Sequence, residues 1–104
     1  MNIQFKWDDE NAANHFRKHK VSFEMAARAF ADPFALTVHD RTENGEQRWQ
    51  TVGMVDGQLV LLVLLVLLVA HTVSEDDGGT EVICIISGRK ADPKERKRYD
   101  QETR

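Results

Sequence analysis

The sequence has little of what several protein classes require. It contains one cysteine, Cys84, which excludes an intramolecular disulfide and a multi-cysteine zinc site. The first twenty residues include no long apolar stretch of the signal-peptide kind, so we expect a cytoplasmic protein. The sequence has no phosphate-binding glycine loop, nucleophile elbow or cofactor fingerprint, so we expect no cofactor. The spacing of His15, His19 and His39 does not predict a metal site either.

The charge is unevenly distributed along the chain. Hydrophobic residues make up 41% of the 104 residues, which predicts one small globular domain over residues 1–104. The formal net charge is −3, yet residues 88–104 hold seven Lys/Arg against four Asp/Glu, and residues 21–87 hold three against ten. A local basic patch is the feature that a polyanion requires. The C-terminal residues are therefore the candidates for binding nucleic acid.

Local patterns predict an α+β fold with the element order β-α-α-β-β-β-β-α. Alternating apolar residues indicate a first strand over 2–7, and capping residues with helical spacing indicate two helices between this strand and Pro33. A polar loop is expected over 40–47. The sequence Asp-Pro-Lys-Glu at 92–95 predicts a final basic helix over 94–102. The four later strands are expected at 35–39, 48–55, 58–73 and 80–87.

The most unusual segment is a run of Leu and Val at residues 59–70, in which a Leu-Val-Leu triplet recurs. A bilayer span takes about 20 apolar residues, so this run is too short to cross a membrane. Val content and the Asp-Gly pair before it favour an unusually long strand at about 58–73. The repeated triplets suggest a six-residue tandem duplication within that strand. We expect the strand either to project from the sheet or to exchange between protomers of a homo-oligomer formed through residues 59–70.

The length of this strand also affects the expected pairing. A two-residue turn at Asp56-Gly57 would place Arg48 opposite Leu65. His71 would then lie six residues further along, about 20 Å away at roughly 3.3 Å per residue. The sequence therefore predicts that His71 and Arg48 are separated along the hairpin.

An ordered set of short motifs resembles the BrnT family of type II toxins, a resemblance that covers about residues 3–102. The motifs are, in chain order, Phe5-x-Trp7-Asp8, Asn14 with Lys18-His19, Val21-Ser22-Phe23-Glu24, Phe30-x-Asp32-Pro33, Glu46-x-Arg48-Trp49, Thr51-x-Gly53, His71-Thr72, Ile85-Ile86-Ser87-x-Arg89-Lys90-Ala91 and Glu95-Arg96-x-x-Tyr99. The sequence departs from the family in the added Leu/Val triplets and at Gly88, where alanine is usual.

This resemblance implies a fold and an activity. The implied fold is RelE-like, with a small antiparallel sheet, two N-terminal helices and a C-terminal basic helix. The implied activity is that of a ribonuclease toxin that cleaves RNA and inhibits translation. The implied partner is a BrnA-like antitoxin with a ribbon-helix-helix domain, and operator DNA would be contacted only through that antitoxin. The alternative is a catalytically impaired module of the same fold, which binds or self-associates through the lengthened strand.

Metal-independent RNA cleavage needs a base for the 2′-hydroxyl, cations for the phosphorane and an acid for the leaving 5′-oxygen. Arginine and lysine side chains suit the phosphate, and the candidates are Arg48, Arg89 and Lys90. Imidazole and carboxylate groups suit proton transfer, and the candidates are His71 and Glu46. Aromatic rings and further cations suit contacts with the RNA, and the candidates are Trp49, Arg96 and Tyr99.

Each of these residues also has a purely structural interpretation, which the sequence leaves open. His71 at a strand end can be a hydrogen-bonded structural residue. Trp49 can anchor the core, and Tyr99 on a helix face can be a packing residue. The pair Arg89-Lys90 can belong to a solvated charged surface.

Overall fold

The computed structural model of the chain describes residues 2–56 and 64–102. Within these residues, five strands form one sheet in the order β1-β5-β4-β3-β2, accompanied by three α-helices and a short 3-10 turn. The predicted α+β class and element order are confirmed. The bounds are β1 Ile3–Lys6, α1 Asp9–His19, α2 Phe23–Arg28, the 3-10 turn Ala29–Ala31, β2 Leu36–Glu43, β3 Glu46–Asp56, β4 Leu64–Glu75, β5 Glu81–Lys90 and α3 Pro93–Glu102.

The first strand makes the sheet mixed rather than antiparallel. β1 lies at one edge and pairs with β5 in parallel, from Ile3 opposite Glu81 to Lys6 opposite Cys84. The prediction of a wholly antiparallel sheet was therefore wrong at this strand. Alternation of apolar residues identifies a strand but not its partner or direction, because the two paired segments lie far apart in the chain.

β2 and β3 form a tight hairpin where the sequence predicted a loop. Asn44 and Gly45 both have positive φ, 53° and 80°, and Glu43 pairs directly with Glu46. Asn-Gly is the pair that a two-residue primed turn favours, because both central residues need positive φ. The strands consequently extend through most of the region 40–47, with one bulge at Asp40.

The pairing of β3 with β4 differs from the predicted register. Leu65 lies opposite Val55 instead of Arg48, a shift of seven residues, and His71 lies opposite Trp49. The predicted two-residue turn at Asp56-Gly57 and the 20 Å offset of His71 were therefore wrong. Because the shift is odd, it also changes which β4 side chains share a face with Arg48. The first part of the predicted long strand, 58–63, lies outside the described residues.

The two faces of the sheet carry different cores. α1 and α2 cover one face, here called the helix-covered face, and α3 packs on part of the other, here called the α3 face. Alternation along the strands assigns side chains to these faces. The core of the helix-covered face contains Val21, Phe23, Met25, Ala26, Ala29, Val55, Leu67, Val69, Ile83 and Ile85. The smaller core of the α3 face contains Val52, Val66, Leu68 and Tyr99.

A bulge at Ile86 reverses the faces to which the side chains at the end of β5 point. His71 lies opposite Ile85 and Ala70 lies opposite Ser87, so Ile86 is the extra residue. The Asn11 side chain donates a 2.9 Å hydrogen bond to the Ile86 carbonyl. Because one residue is inserted, Arg89 lies on the α3 face instead of the face to which Ile85 points. β5 continues to Lys90, beyond the predicted end at residue 87.

Two glycines allow the layer formed by α2 and the 3-10 turn to approach the sheet. A Cβ atom on Gly53 would lie 2.3 Å from the Ala29 carbonyl oxygen. A Cβ atom on Gly88 would lie 3.1 Å from the Ala26 Cβ atom. The backbone of β3 therefore contacts the 3-10 turn at a distance that only glycine permits.

We expect Gly53→Ala to lower the free energy of unfolding by about 1–3 kcal/mol, because the added methyl group overpacks the contact with Ala29. Urea denaturation followed by circular dichroism measures the change. Gly78→Ala is the matched control, since the nearest atom to its added methyl group would be 3.6 Å away. Equal stability of the Gly53 variant and the wild type would contradict the close approach.

Candidate active site

Arg89 is held at the end of β5 by the first turn of α3. Its Nη1 and Nη2 atoms donate to the two carboxylate oxygens of Glu95 at 2.8 and 2.9 Å, and Nη1 also donates to the Lys90 carbonyl at 3.1 Å. Glu95 is itself oriented by reciprocal hydrogen bonds with Asp92, both 2.8 Å. The hydrogen bond from Arg89 is the main reason that the pKa of Glu95 lies below its ordinary value. Arg89 is thus a fixed cation that remains 41% exposed.

Arg48 has a weaker carboxylate partner. Its Nε atom lies 3.4 Å from Oε1 of Glu46, an ion pair without hydrogen-bond geometry. Among the described residues, this Nε atom is a buried side-chain nitrogen that makes no hydrogen bond. A buried donor without a hydrogen bond is unfavourable, and the nearby Glu46 carboxylate offsets part of that cost. The Arg48 side chain is 24% exposed and Glu46 is more than half exposed, so both can contact a ligand through their exposed parts.

Arg48, Glu46 and Arg89 share the α3 face. Arg89 lies opposite Leu68, which lies opposite Val52, so the two arginines are two strands apart and four residues apart along the strands. With strands about 4.8 Å apart and roughly 3.3 Å per residue, their Cα atoms are about 16 Å apart. Two long side chains at that spacing can both contact one RNA strand.

The remaining predicted cations are more dispersed. Lys90 is exposed and lies opposite Leu67, so strand alternation places it on the helix-covered side, away from Arg89. Arg96 is half exposed on α3 and lies 4.0 Å from Asp100. It lines a surface hollow beside the start of the helix, together with Pro93 and Lys97.

His71 lies in the core of the sheet rather than at its surface. It is 1% exposed, its Nε2 atom is 2.7 Å from the Thr51 hydroxyl oxygen, and its Nδ1 atom is 3.2 Å from the Thr72 carbonyl oxygen. The Phe30 ring packs against it edge to face at 4.8 Å. Burial lowers the pKa of His71, and the bond to Thr72 only partly offsets this. This geometry favours the structural interpretation of His71 over the proton-transfer role.

The two aromatic residues that were predicted to contact RNA lie in different environments. Trp49 is half-buried, and its ring meets the His39 ring edge to face at 5.1 Å. Tyr99 is 4% exposed, and its hydroxyl donates a hydrogen bond to the Asp32 carboxylate. That carboxylate also accepts from the backbone nitrogens of Met54, at 2.8 Å, and Phe34, at 2.9 Å. Tyr99 therefore joins α3 to the sheet, which favours its packing interpretation.

Two charged residues with defined partners were not among the predicted site residues. Glu95 was recognised as a helix-start residue and Asp32 as the residue before a helix-ending proline, and both stand in the family motifs, but neither was given a role in the site. The short interval from Arg89 to Glu95 was the available signal for the first pair. Asp32 and Tyr99 are 67 residues apart, and no local pattern connects them. In the described part of the chain, no three His, Cys, Asp or Glu side chains form a group that could hold a metal ion.

Comparison with known protein families identifies the chain. Residues 7–95 match the family described as ribonuclease toxin, BrnT, of type II toxin-antitoxin system. This chain belongs to the BrnT family. The match spans most of the sequence and includes Arg48, Arg89 and Glu95, which confirms the resemblance seen in the motifs. A comparison with curated proteins found no match.

The BrnT assignment describes a ribonuclease toxin of a type II toxin–antitoxin system, so an antitoxin partner is implied. Within the described residues, no helix has both the length and the apolar character that a membrane span requires. On the α3 face, Arg48 and Arg89 lie near the carboxylates of Glu46 and Glu95 on partly exposed strand ends.

We expect His71 to titrate below 6.5, because burial disfavours its charged form. NMR of the imidazole C–H signals against pH measures the midpoint, and His71→Asn identifies the signal. In the unfolded chain the group binds a proton near pH 6.5, so the free energy of unfolding falls as the pH drops below about 6.5 and levels off below the folded pKa. A midpoint at or above 6.5 would contradict the buried position.

We expect the only tyrosine, Tyr99, to titrate near 12, because burial and the hydrogen bond to Asp32 raise its pKa to about 12. Ultraviolet absorbance against pH measures this, with circular dichroism to verify that the chain stays folded. The contribution of this raised pKa to the free energy of unfolding is fully present below about pH 10. It is lost as the pH rises toward the pKa of Tyr99 in the folded protein. Asp32→Asn should lower the midpoint, and a wild-type midpoint near 10 would exclude the contact.

Proposed function

We propose that this BrnT-family protein is a metal-independent endoribonuclease that inhibits translation by cleaving RNA. The observation that carries this proposal is the position of Arg48 and Arg89 on the same face of the sheet, where both side chains remain partly exposed, with Glu46 beside Arg48. Cations placed where charge develops in the transition state are the main requirement of phosphoryl chemistry that uses no metal ion.

The two arginines would contact the phosphate in different ways. The Arg48 side chain is 24% exposed, and the exposed part of its guanidinium suits a non-bridging phosphate oxygen. Arg89 uses three of its five N–H donors on Glu95 and Lys90, so two remain for the RNA. Glu95 would act as a positioning residue, because it fixes the guanidinium plane of Arg89 without contacting the RNA.

Glu46 is the residue that the geometry favours for proton transfer. Its carboxylate is exposed on the same strand and the same face as Arg48, whereas His71 is buried. In the proposed step, Glu46 takes the proton of the 2′-hydroxyl, the 2′-oxygen bonds to phosphorus, and the 5′-oxygen leaves with a proton from solvent. The products would be a 2′,3′-cyclic phosphate and a 5′-hydroxyl end.

The remaining parts of the proposal concern the fold type and the partner. We infer a RelE-like fold from the helix and strand order, and neutralisation by a BrnA-like antitoxin with a ribbon-helix-helix domain. The exposed basic side chains of α3 would suit acidic antitoxin residues, and operator DNA would be contacted only through the antitoxin. Self-association through residues 59–70 stays a prediction. The impaired-enzyme alternative assumed that His71 is displaced along the hairpin, and the observed register contradicts that premise.

We expect Arg48→Ala and Arg89→Lys each to lower the rate of RNA cleavage by about 10²–10³-fold, as losing one stabilising donor commonly does. Cleavage of a labelled RNA by purified protein in EDTA measures the rate, and growth arrest after induction measures toxicity. Arg28→Ala is the matched control, because it removes one exposed arginine from α2, which packs on the opposite face.

Two outcomes would overturn parts of this proposal. Full cleavage by folded Arg48→Ala and Arg89→Lys variants would remove the α3 face from the mechanism. Loss of wild-type cleavage in EDTA would show that the reaction depends on a metal ion.

A further inference from the structure

The sheet divides into two hairpins at one end. The pairing of β3 with β4 ends at Trp49 opposite His71, although β3 begins at Glu46 and β4 continues to Glu75. Beyond that pair, β3 pairs only with β2 and β4 pairs only with β5. A hollow lies between the two hairpins, here called the hairpin hollow, and its lining includes Glu46, Gln47, Trp49, Thr72 and Ser74.

The lining of the hairpin hollow suits a neutral aromatic ligand better than a phosphate. The Trp49 ring is held in place by the His39 ring, which meets it at an interplanar angle of 87°. A fixed aromatic ring is the surface on which an unpaired nucleobase stacks. Among the described residues that line the hollow, Glu46 is a carboxylate and none is a lysine or arginine. A negatively charged phosphate is therefore disfavoured there, and an uncharged base is not.

The hollow adjoins the proposed phosphate contact. Glu46 lines it and also lies 3.4 Å from the Nε atom of Arg48. Strand alternation points Trp49 to the helix-covered side and Arg48 to the α3 face, and the hollow lies where β3 and β4 are no longer paired. A nucleotide whose phosphate contacts Arg48 can thus place a neighbouring base beside Trp49 only if the RNA passes around this end of the sheet. Gln47, two residues before Trp49 and on the same side of β3, offers a donor and an acceptor next to each other.

We propose that the hairpin hollow binds one unpaired nucleobase of the RNA, next to the phosphate at Arg48, and sets the base preference of cleavage. This inference rests on the proposed ribonuclease function. Trp49 supplies the stacking surface, and the Gln47 amide favours adenine, with which glutamine can form two hydrogen bonds. Trp49 is a binding residue in this proposal and takes no part in proton transfer.

Tryptophan fluorescence tests the stacking without requiring cleavage. The chain has two tryptophans, so Trp7→Phe leaves Trp49 as the only one. The probe is a 2′-O-methyl oligoadenylate, which has no free 2′-hydroxyl and cannot be cleaved. We expect it to quench Trp49 fluorescence in a saturable manner, and to leave the signal of the matched Trp49→Phe variant, which retains Trp7, unchanged.

Mapping of cleavage sites tests the base preference. On an RNA library, we expect Gln47→Leu to reduce the preference for adenine beside the cleaved bond by about tenfold or more, as the loss of a bidentate contact should. Trp49→Leu should raise KM more than it lowers kcat, and Trp49→Phe should restore much of the loss.

The outcomes separate this proposal from the proposed function. Wild-type protein that cleaves RNA without quenching of Trp49, and with the same base preference in the Gln47 variant, would overturn the base site and leave the ribonuclease. Wild-type protein that neither cleaves RNA nor binds the oligoadenylate would overturn both. Quenching that oligouridylate reproduces equally would remove the adenine assignment.

Discussion

The pairing of β3 with β4 determines which side chains share a face of this sheet. With His71 opposite Trp49, the odd-numbered residues of both strands point to the helix-covered face, and Arg48 points to the other. His71 therefore meets Phe30 and Thr51 in the core, where its neutral form is favoured. A shift of β4 by one residue relative to β3 would turn the β4 side chains over and take His71 away from Phe30 and Thr51, so the core depends on this pairing. The same pairing fixes which β4 side chains share the α3 face with Arg48.

The bulge in β5 determines the face on which Arg89 lies. Without the bulge, alternation from Ile85 would direct Arg89 toward α2. The sheet already lies close to α2 there, since a Cβ atom added to Gly88 would be 3.1 Å from the Ala26 Cβ atom. The extra residue, Ile86, sends Arg89 to the α3 face, and Asn11 satisfies the carbonyl that the bulge leaves outside the ladder. The N-terminal helix thus contributes to the position of an arginine on the opposite face of the sheet.

Local sequence patterns predicted the helices and strands well, but they predicted the register between strands poorly. Capping residues and alternation identified each helix and strand, and the Asp92–Glu95 pair marked the start of α3 correctly. The triplet repeat in β4 allows several registers with nearly the same apolar pattern, so the sequence could not select one. Two adjacent isoleucines conceal the bulge in β5, because either can be the extra residue. Arg48 and Arg89 were predicted as candidates, but their shared face depends on both of these features.

Both candidate arginines have a carboxylate partner, which limits how strongly they attract RNA from a distance. The bidentate bond with Glu95 neutralises much of the Arg89 charge while it fixes the guanidinium plane. Glu46 has a looser contact with Arg48 and leaves its Nε donor without a hydrogen bond. Long-range attraction then depends on exposed cations such as Lys97 and Arg98 on α3, whose effect is screened by salt. In the proposed mechanism, the paired arginines instead provide defined donor positions, which stabilise a transition state more effectively than a diffuse positive surface does.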